Sequence, residues 1–479
     1  MKKVLVLLIS ISLIFLLTGC GQNGNDLNLD GDGESLVSLE ATSGEEIKAT
    51  FDDGETITTS NFDPKPLSLG EETAINFQHE GKDYSDTVTY TINISGNLNS
   101  QVSQQNTVRA ANVGETDKVV LFFGRDYKIS KIENGSFNIE LDREEPGGIA
   151  FLDSNNQYIG YLSLPDGLDS FPTQAISSDT GEIYLGEINF DENGVGKIDK
   201  DPFASLDPVE KSALAVSGSF FSAALRSPEV IEKLVNDNER IGFGLNYFPT
   251  MNFFDENNNG YLSSDNMIKT HRLILGFEPG LKSFKEVNIT YPDKNSTQVD
   301  LPNDIPESEA NERYIIFPGV GLQDRANEVG PPIPPAGDYK VSGGGLDFTF
   351  NLPDIQNDAE KNLVFPVPNV EINEDGIIEE INWTYKNRAG NMVSNPENII
   401  SNIEIQINAK SEDLDTLKGD YESKPQGPAR IYNSGQLAGK EVSHGLSTEE
   451  IYWEDVENID LAYNDIYRIH YVVGFSKNK

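Results

Sequence analysis

IENGSFNIEL, residues 132 to 141, places Asn134-Gly135 in front of Phe137, Ile139 and Leu141, which alternate with Asn138 and Glu140. Asn and Gly tolerate the positive φ that a two-residue hairpin turn demands, and a period of two lays one face of a strand on a core. Just upstream, VVLFF (Val119 to Phe123) is an unbroken apolar run of the kind a strand covered on both faces shows. GGIAFLDSNNQYIGYLSL and GEIYLGEINFDENGVGKI repeat the theme, with turns at Asn155-Asn156 and Asn193-Gly194. The chain reads as mainly β.

Working outward, residues 36 to 96 show short alternations broken by Asp-Gly, Ser-Gly and Leu-Gly, ending where Val88, Tyr90, Ile92 and Ile94 share one strand face. The period changes between 205 and 268. Asp207-Pro208-Val209-Glu210 offers an N-cap, a proline at the first helical position and a reciprocal Glu, and Ser227-Pro228 repeats the first two. Helices are predicted over 208–225 and 228–237. Strand patterns return from 269, with an extended proline-rich entry at Pro331 to Pro335, an Asp375-Gly376 turn, Ile381, Trp383 and Tyr385 on one face, and Tyr467, Ile469, Tyr471, Val473 and Phe475 aligned near the end. The expected architecture is a series of tandem β-sandwich domains with a short helical segment in the middle. Its units are 36–96, 97–204, a helical segment over 205–268, 269–360 and 361–479.

Three of these units resemble known families. The first, through Gly54-Glu55, Leu69-Gly70-Glu71 and Glu80-Gly81-Lys82, resembles bacterial Ig-like domains. The second, through Asn134 to Phe137 and Leu185 to Ile188, resembles transthyretin-like or carboxypeptidase-regulatory-like sandwiches. The last, with Trp383 as its core tryptophan, is similar to fibronectin type III domains. These resemblances imply structural or binding work and bring no catalytic set.

The amino terminus says where such a chain resides. Lys2-Lys3 precedes an apolar run, Val4 to Leu17, that is shorter than the roughly 20 residues a spanning helix needs, which is the pattern of a signal peptide over 1–19. Leu17-Thr18-Gly19-Cys20 resembles the lipobox of bacterial lipoproteins. That resemblance implies cleavage before Cys20, the only cysteine, and alkylation of its thiol with diacylglycerol. One acyl chain holds a protein marginally, at about 0.8 kcal/mol per buried CH₂, whereas two or three hold it durably. Residues 20–35 then read as a polar tether. The expected location is the cell envelope, anchored to a bacterial membrane and facing periplasm or exterior.

Charge narrows the partners. With 36 basic and 78 acidic residues the net charge is -42, which repels nucleic acid and attracts cations. A cation grammar occurs in FFDENNNGYLSSDN. Counting Asp255 as position 1 puts Asn257 at 3, Asn259 at 5, Gly260 at 6, the Tyr261 carbonyl at 7, Ser263 at 9 and Asn266 at 12. This resembles the calcium loops of EF-hand and dockerin modules and implies calcium, yet it departs at position 12, where a bidentate acid belongs. An Asx-rich turn bonding its own backbone is the alternative. The same count from Asp26 ends on Val37 and reads as tether.

Tyr452 and Trp453 are candidates for stacking on sugar rings, against ordinary core packing. Enzyme motifs are missing: there is no Gly-x-Ser-x-Gly, no His-Glu-x-x-His and no phosphate-binding loop, while His79, His271, His444 and His470 stand far apart. The expected function is non-catalytic binding, adhesion or display on a lipid anchor, with a glycan or surface protein as partner. The alternative is a carbohydrate-binding or glycan-degrading surface component.

Overall fold

The computed structural model describes residues 35–99, 116–124, 126–165, 168–238, 240–248, 252–262, 270–278, 286–294, 296–300, 313–316, 336–343, 346–352, 363–409, 435–437, 440–442, 452–467 and 469–477. The protein is mainly β, with several sheets and, among the described residues, two α-helices. Strands β1 (Leu36–Ala41), β2 (Ile47–Phe51) and β3 (Thr56–Thr59) form one antiparallel sheet; β4 (Phe62–Asp63), β5 (Glu72–His79) and β6 (Lys82–Thr89) form another. Phe51 of the first meets His79 and Tyr84 of the second at centroid distances of 5.0 and 5.2 Å, so the two sheets face each other across a core. Glu80 and Gly81 both take positive φ, 49° and 78°, in the β5–β6 hairpin turn.

The next eight strands make one sheet: β7 (Ile92–Leu98), β8 (Thr116–Phe122), β9 (Tyr127–Lys131), β10 (Ser136–Leu141), β11 (Gly148–Asp153), β12 (Tyr158–Ser163), β13 (Glu182–Phe190) and β14 (Val195–Ile198). Their order is β10-β7-β13-β14-β12-β11-β8-β9. The Asn134-Gly135 turn forms as read, with φ of 52° and 80°. Its two strands, however, pair only at Glu133 and Ser136 and then run to opposite edges of the sheet. A short turn between the two edges obliges the sheet to roll until they meet. Phe137, Phe151 and Phe190 pack edge to face inside it, with successive centroids 6.1 and 5.0 Å apart. Val119 to Phe122 are buried on both faces, because Phe122 also meets Phe221 of a helix at 5.3 Å.

Val88, Tyr90, Ile92 and Ile94 are all buried. They do not lie on one strand: Val88 pairs into β5, while β7 pairs with β10 and β13. The seam read at 96/97 therefore falls inside β7. The first unit and the rolled sheet also touch directly. Gly44 N–H donates to Ser178 O at 2.7 Å, the Ser178 hydroxyl to Glu45 Oε1 at 2.7 Å, and the Tyr90 hydroxyl to Thr180 O at 2.5 Å.

Helices α1 (Pro208–Leu225) and α2 (Pro228–Asp237) have the predicted limits. Asp207 caps α1 by accepting from Val209 N–H at 2.8 Å. The expected reciprocal Glu210 does not return to the cap; its buried carboxylate instead accepts from Asn395 N–H, Asn395 Nδ2 and Asn398 Nδ2 at 2.9, 3.0 and 3.2 Å. Nor does the Ser227 side chain cap α2: its hydroxyl donates to Thr349 O at 2.6 Å. In both places a tertiary partner outcompetes the local one.

The helical reading of 205–268 stops at Asp237. The chain continues as β15 (Arg240–Phe248), β16 (Asn252–Phe254), β17 (Gly260–Tyr261) and β18 (Thr270–Glu278), then β19 (Glu286–Thr290), β20 (Ser296–Asp300), β21 (Arg313–Ile316), β22 (Gly337–Gly343) and β23 (Leu346–Leu352). The last elements are β24 (Val364–Ile372), β25 (Ile378–Asn387), β26 (Ile400–Ala409), β27 (Gly435–Leu437), β28 (Lys440–Val442), β29 (Val456–Asp465) and β30 (His470–Lys477). Strands β20-β19-β22-β23 form their own sheet. By contrast β15, β16, β17, β18 and β21 share a sheet with β26, β29 and β30, which crosses the boundaries read at 268/269 and 360/361. Tyr467 lies in the turn before β30 rather than on it.

Candidate functional site

Asp255 sits at the start of the β16–β17 turn. Its Oδ1 accepts from the backbone N–H groups of Asn257 and Asn259 at 2.8 and 2.9 Å, while Asp255 N–H donates to Asn259 O at 2.9 Å and Asn258 N–H to Asp255 O at 3.1 Å. Asn258 takes φ 62°. Asn259 Nδ2 lies 3.3 Å from the second carboxylate oxygen. Accepting these N–H bonds favours the ionised form, and they hold the Asp255 carboxyl below its ordinary pKa, with the Asn259 N–H contributing most.

The same closure recurs along the chain. Asp153 accepts from Asn155 and Gln157 N–H at 2.7 and 2.8 Å, and Asp191 from Asn193 and Val195 N–H at 2.9 and 3.1 Å. Asn373 accepts from Asp375 and Ile377 N–H at 3.0 and 2.9 Å, Asn387 from Asn391 N–H at 2.9 Å, and Asp465 from Tyr467 and Ile469 N–H at 2.9 Å each. Residues Asn156, Gly194, Gly376 and Gly390 supply the positive φ where Asn258 supplies it here. Asn373 and Asn387 achieve the geometry with a neutral amide, so its physical origin is the side-chain oxygen and not a negative charge. The described geometry thus supports the turn alternative at Asp255.

Of the other calcium-loop positions, Asn257 and Asn259 lie in this turn, Tyr261 is on β17 with its side chain exposed, and Ser263 and Asn266 lie outside the described residues. Among the described residues no group of three or more His, Cys, Asp or Glu could hold a metal ion.

The stacking candidates part company. Trp453 is partly buried: Phe254 packs on it edge to face at 5.1 Å, and the Lys477 ammonium lies over its ring at 4.6 Å while donating to the Trp453 carbonyl. Lys477, carried by β30, thus covers one face of Trp453. Tyr452 is 40% exposed and bridges Ile377 through its backbone. Cys20 and His444 lie outside the described residues. His271 and His470 fall on β18 and β30 of one sheet, and His79, which stacks on Phe51 with Glu55 Oε1 at 3.8 Å, lies in another.

Sequence reasoning missed three buried polar junctions. Asp169 pairs with Arg226 at the end of α1 and accepts from Ser163 Oγ at 2.7 Å, with the guanidinium 5.4 Å from the Tyr161 ring centroid. Burial opposes the charge on Arg226, but the Asp169 carboxylate outweighs it and keeps the guanidinium pKa above its ordinary value. Asp465, besides its turn bonds, accepts from the Tyr471 hydroxyl at 2.9 Å. The Tyr467 and Ser170 hydroxyls bond at 2.6 Å, and burial pushes the Tyr467 phenol up. With the Glu210–Asn395 contact, the Asp169–Arg226 and Ser170–Tyr467 pairs fasten distant segments together. Only Asp465, followed at short range by turn-compatible residues, left any local trace.

No family model matches the chain, and no curated protein matches it. Among solved structures, the Bacillus anthracis TIE protein aligns at TM-score 0.15 and 10% identity over 76% of this chain and 67% of that one. Trypsin-activated alpha-2-macroglobulin from Escherichia coli aligns at TM-score 0.10 and 7% identity, over 91% of this chain and 29% of that one. Such scores lie far below those of a shared fold. Among the described residues no helix is long and apolar enough to cross a membrane.

Proposed function

We propose that the chain is a lipid-anchored envelope protein that carries out binding, adhesion or display from the surface of a bacterial membrane. One observation carries this reading: Leu17-Thr18-Gly19-Cys20 behind a basic, then apolar, leader. The mainly β fold supports it, as it suits a body held off a membrane by a polar leash. The membrane is the first partner, through acyl chains on Cys20, and a surface protein or glycan is the second. The charge of -42 argues against nucleic acid.

The test is fractionation of cells that make the full chain or its Cys20→Ala variant. The full chain should sediment with membranes and enter the detergent phase, and the variant should move to the soluble fraction. A variant that stays with the membranes would remove lipid from the account. A glycan array probed with the released variant then reads the second partner.

A further inference from the structure

Strand β30 occupies an unusual place in its sheet. On one side it pairs antiparallel with β29, from Asn458↔Ser476 to Asn464↔His470. On the other it pairs parallel with β15 at Asn246↔His470 and Tyr247↔Tyr471, and with β16 at Asn252↔Phe475 through Phe254↔Lys477. Among the described residues β15 otherwise joins only β18, which leads to β21; β16 otherwise joins only β17; and β29 otherwise joins only β26. Without β30 the eight-stranded sheet would fall into pieces of three, two and two strands. Two-stranded pieces are marginal in water at best.

Side chains make the same junction. Tyr471 stacks on Tyr463 of β29 at 4.7 Å and donates its hydroxyl to Asp465; Phe475 meets Phe254 of β16 at 5.9 Å; and Val473 is fully buried. Asn252, fully buried, donates to Gly474 O at 3.4 Å across 222 positions of sequence.

We infer that β30 is a keystone strand: β15–β18–β21, β16–β17 and β26–β29 form a slot that residues 470–477 fill, and this half of the protein locks only when they do. Parallel pairing cannot come from a tight hairpin, so β15 and β16 wait on a partner far along the chain. Their closure is a distinct step from the closure of the rolled sheet.

Hydrogen exchange read by mass spectrometry on the full chain tests this, comparing it with Val473→Asp/Phe475→Asp. Residues 252–254 and 456–465 should lose roughly a hundred-fold or more of their protection, whereas 119–122 and 149–152 should stay within about three-fold. Adding a synthetic peptide of residues 466–479 should restore the lost protection. Unchanged protection at 456–465 would overturn the inference, as would an equal loss in 119–122 and 149–152. Failure of the peptide to restore protection would overturn the slot.

Discussion

At the scale of single residues the recurring device is a side-chain oxygen at the start of a turn. For Asp255 the carboxylate's work is to accept two backbone N–H groups. Asp255→Ala should therefore lower the melting temperature equally in calcium and in chelator, and Asp255→Asn should lower it less than Ala does, since Asn373 and Asn387 make the same bonds with a neutral amide. A drop confined to calcium-containing buffer would favour the metal loop instead. Asp465 performs this role while buried, and it also holds Tyr471. Asp465→Ala strands three donors at about 1–3 kcal/mol each in the worst case, and a loss of about 3 kcal/mol is expected by denaturant titration. Asp465→Asn keeps the acceptor for the two N–H groups and should cost under about 1 kcal/mol.

Acid should weaken several of these residues together. Burial opposes ionisation of Asp142, but Lys128 and Arg143 outweigh it; burial likewise opposes it at Asp191, where the Val195 and Asn193 N–H groups and Lys197 prevail. With Asp255, all three carboxyls lie below their ordinary values in the folded protein. A depressed folded pKa contributes stability that is complete above the unfolded value, near about 3.9, and is lost as pH falls through the folded value. Melting temperature should thus be insensitive to these groups between pH 7 and pH 5, and should drop below about pH 4. The calcium grammar is ambiguous in sequence because Asp-x-Asn-x-Asn-Gly serves turn and cation loop alike. The hydrogen bonds at Asp255, repeated on the neutral amides of Asn373 and Asn387, favour the turn.

At the scale of elements, close backbone approach decides which strands can pair. Strand β12 runs parallel to β14, and a Cβ on Gly160 would stand 1.8 Å from Gly194 O, an atom that cannot swing aside. Gly160→Ala should destabilise by about 3 kcal/mol, measured by chemical denaturation, with exchange protection lost first along β12 and β14. An effect under about 0.5 kcal/mol would mean that the parallel ladder is not as close as described. Local chemistry was legible at this scale. The Asn134-Gly135, Asn193-Gly194 and Asp375-Gly376 turns, the buried VVLFF strand and both helix limits were all readable from residue types and period. The fate of the strands beyond a turn was not: β9 and β10 leave one turn for opposite edges, which no hairpin signal records. Glu210 and Ser227 show the same limit, each carrying a capping signature and each bonded instead to a segment more than a hundred residues away.

At the scale of the whole molecule, the units are fastened rather than strung. Tyr90, whose phenol pKa burial pushes up to about 12, bonds the rolled sheet, and Gly70 admits the Asp142 carbonyl where a Cβ would lie 1.6 Å from it. Tyr90→Phe should cost about 1 kcal/mol and lower protection in β5 and β8 together. Independent loss in β5 alone would show two uncoupled domains. The interleaving of 240–278 with 400–477 had no sequence trace, because parallel partners so far apart share neither a turn nor a period. The proposed lipid attachment, conversely, rests on sequence alone, at Leu17-Thr18-Gly19-Cys20. Mass spectrometry of the amino-terminal peptide from membrane-derived protein tests it most directly. The expected peptide begins at Cys20 with its thiol in a diacylglycerol thioether; a free Cys20 thiol, or cleavage at any bond other than Gly19–Cys20, would contradict the anchor.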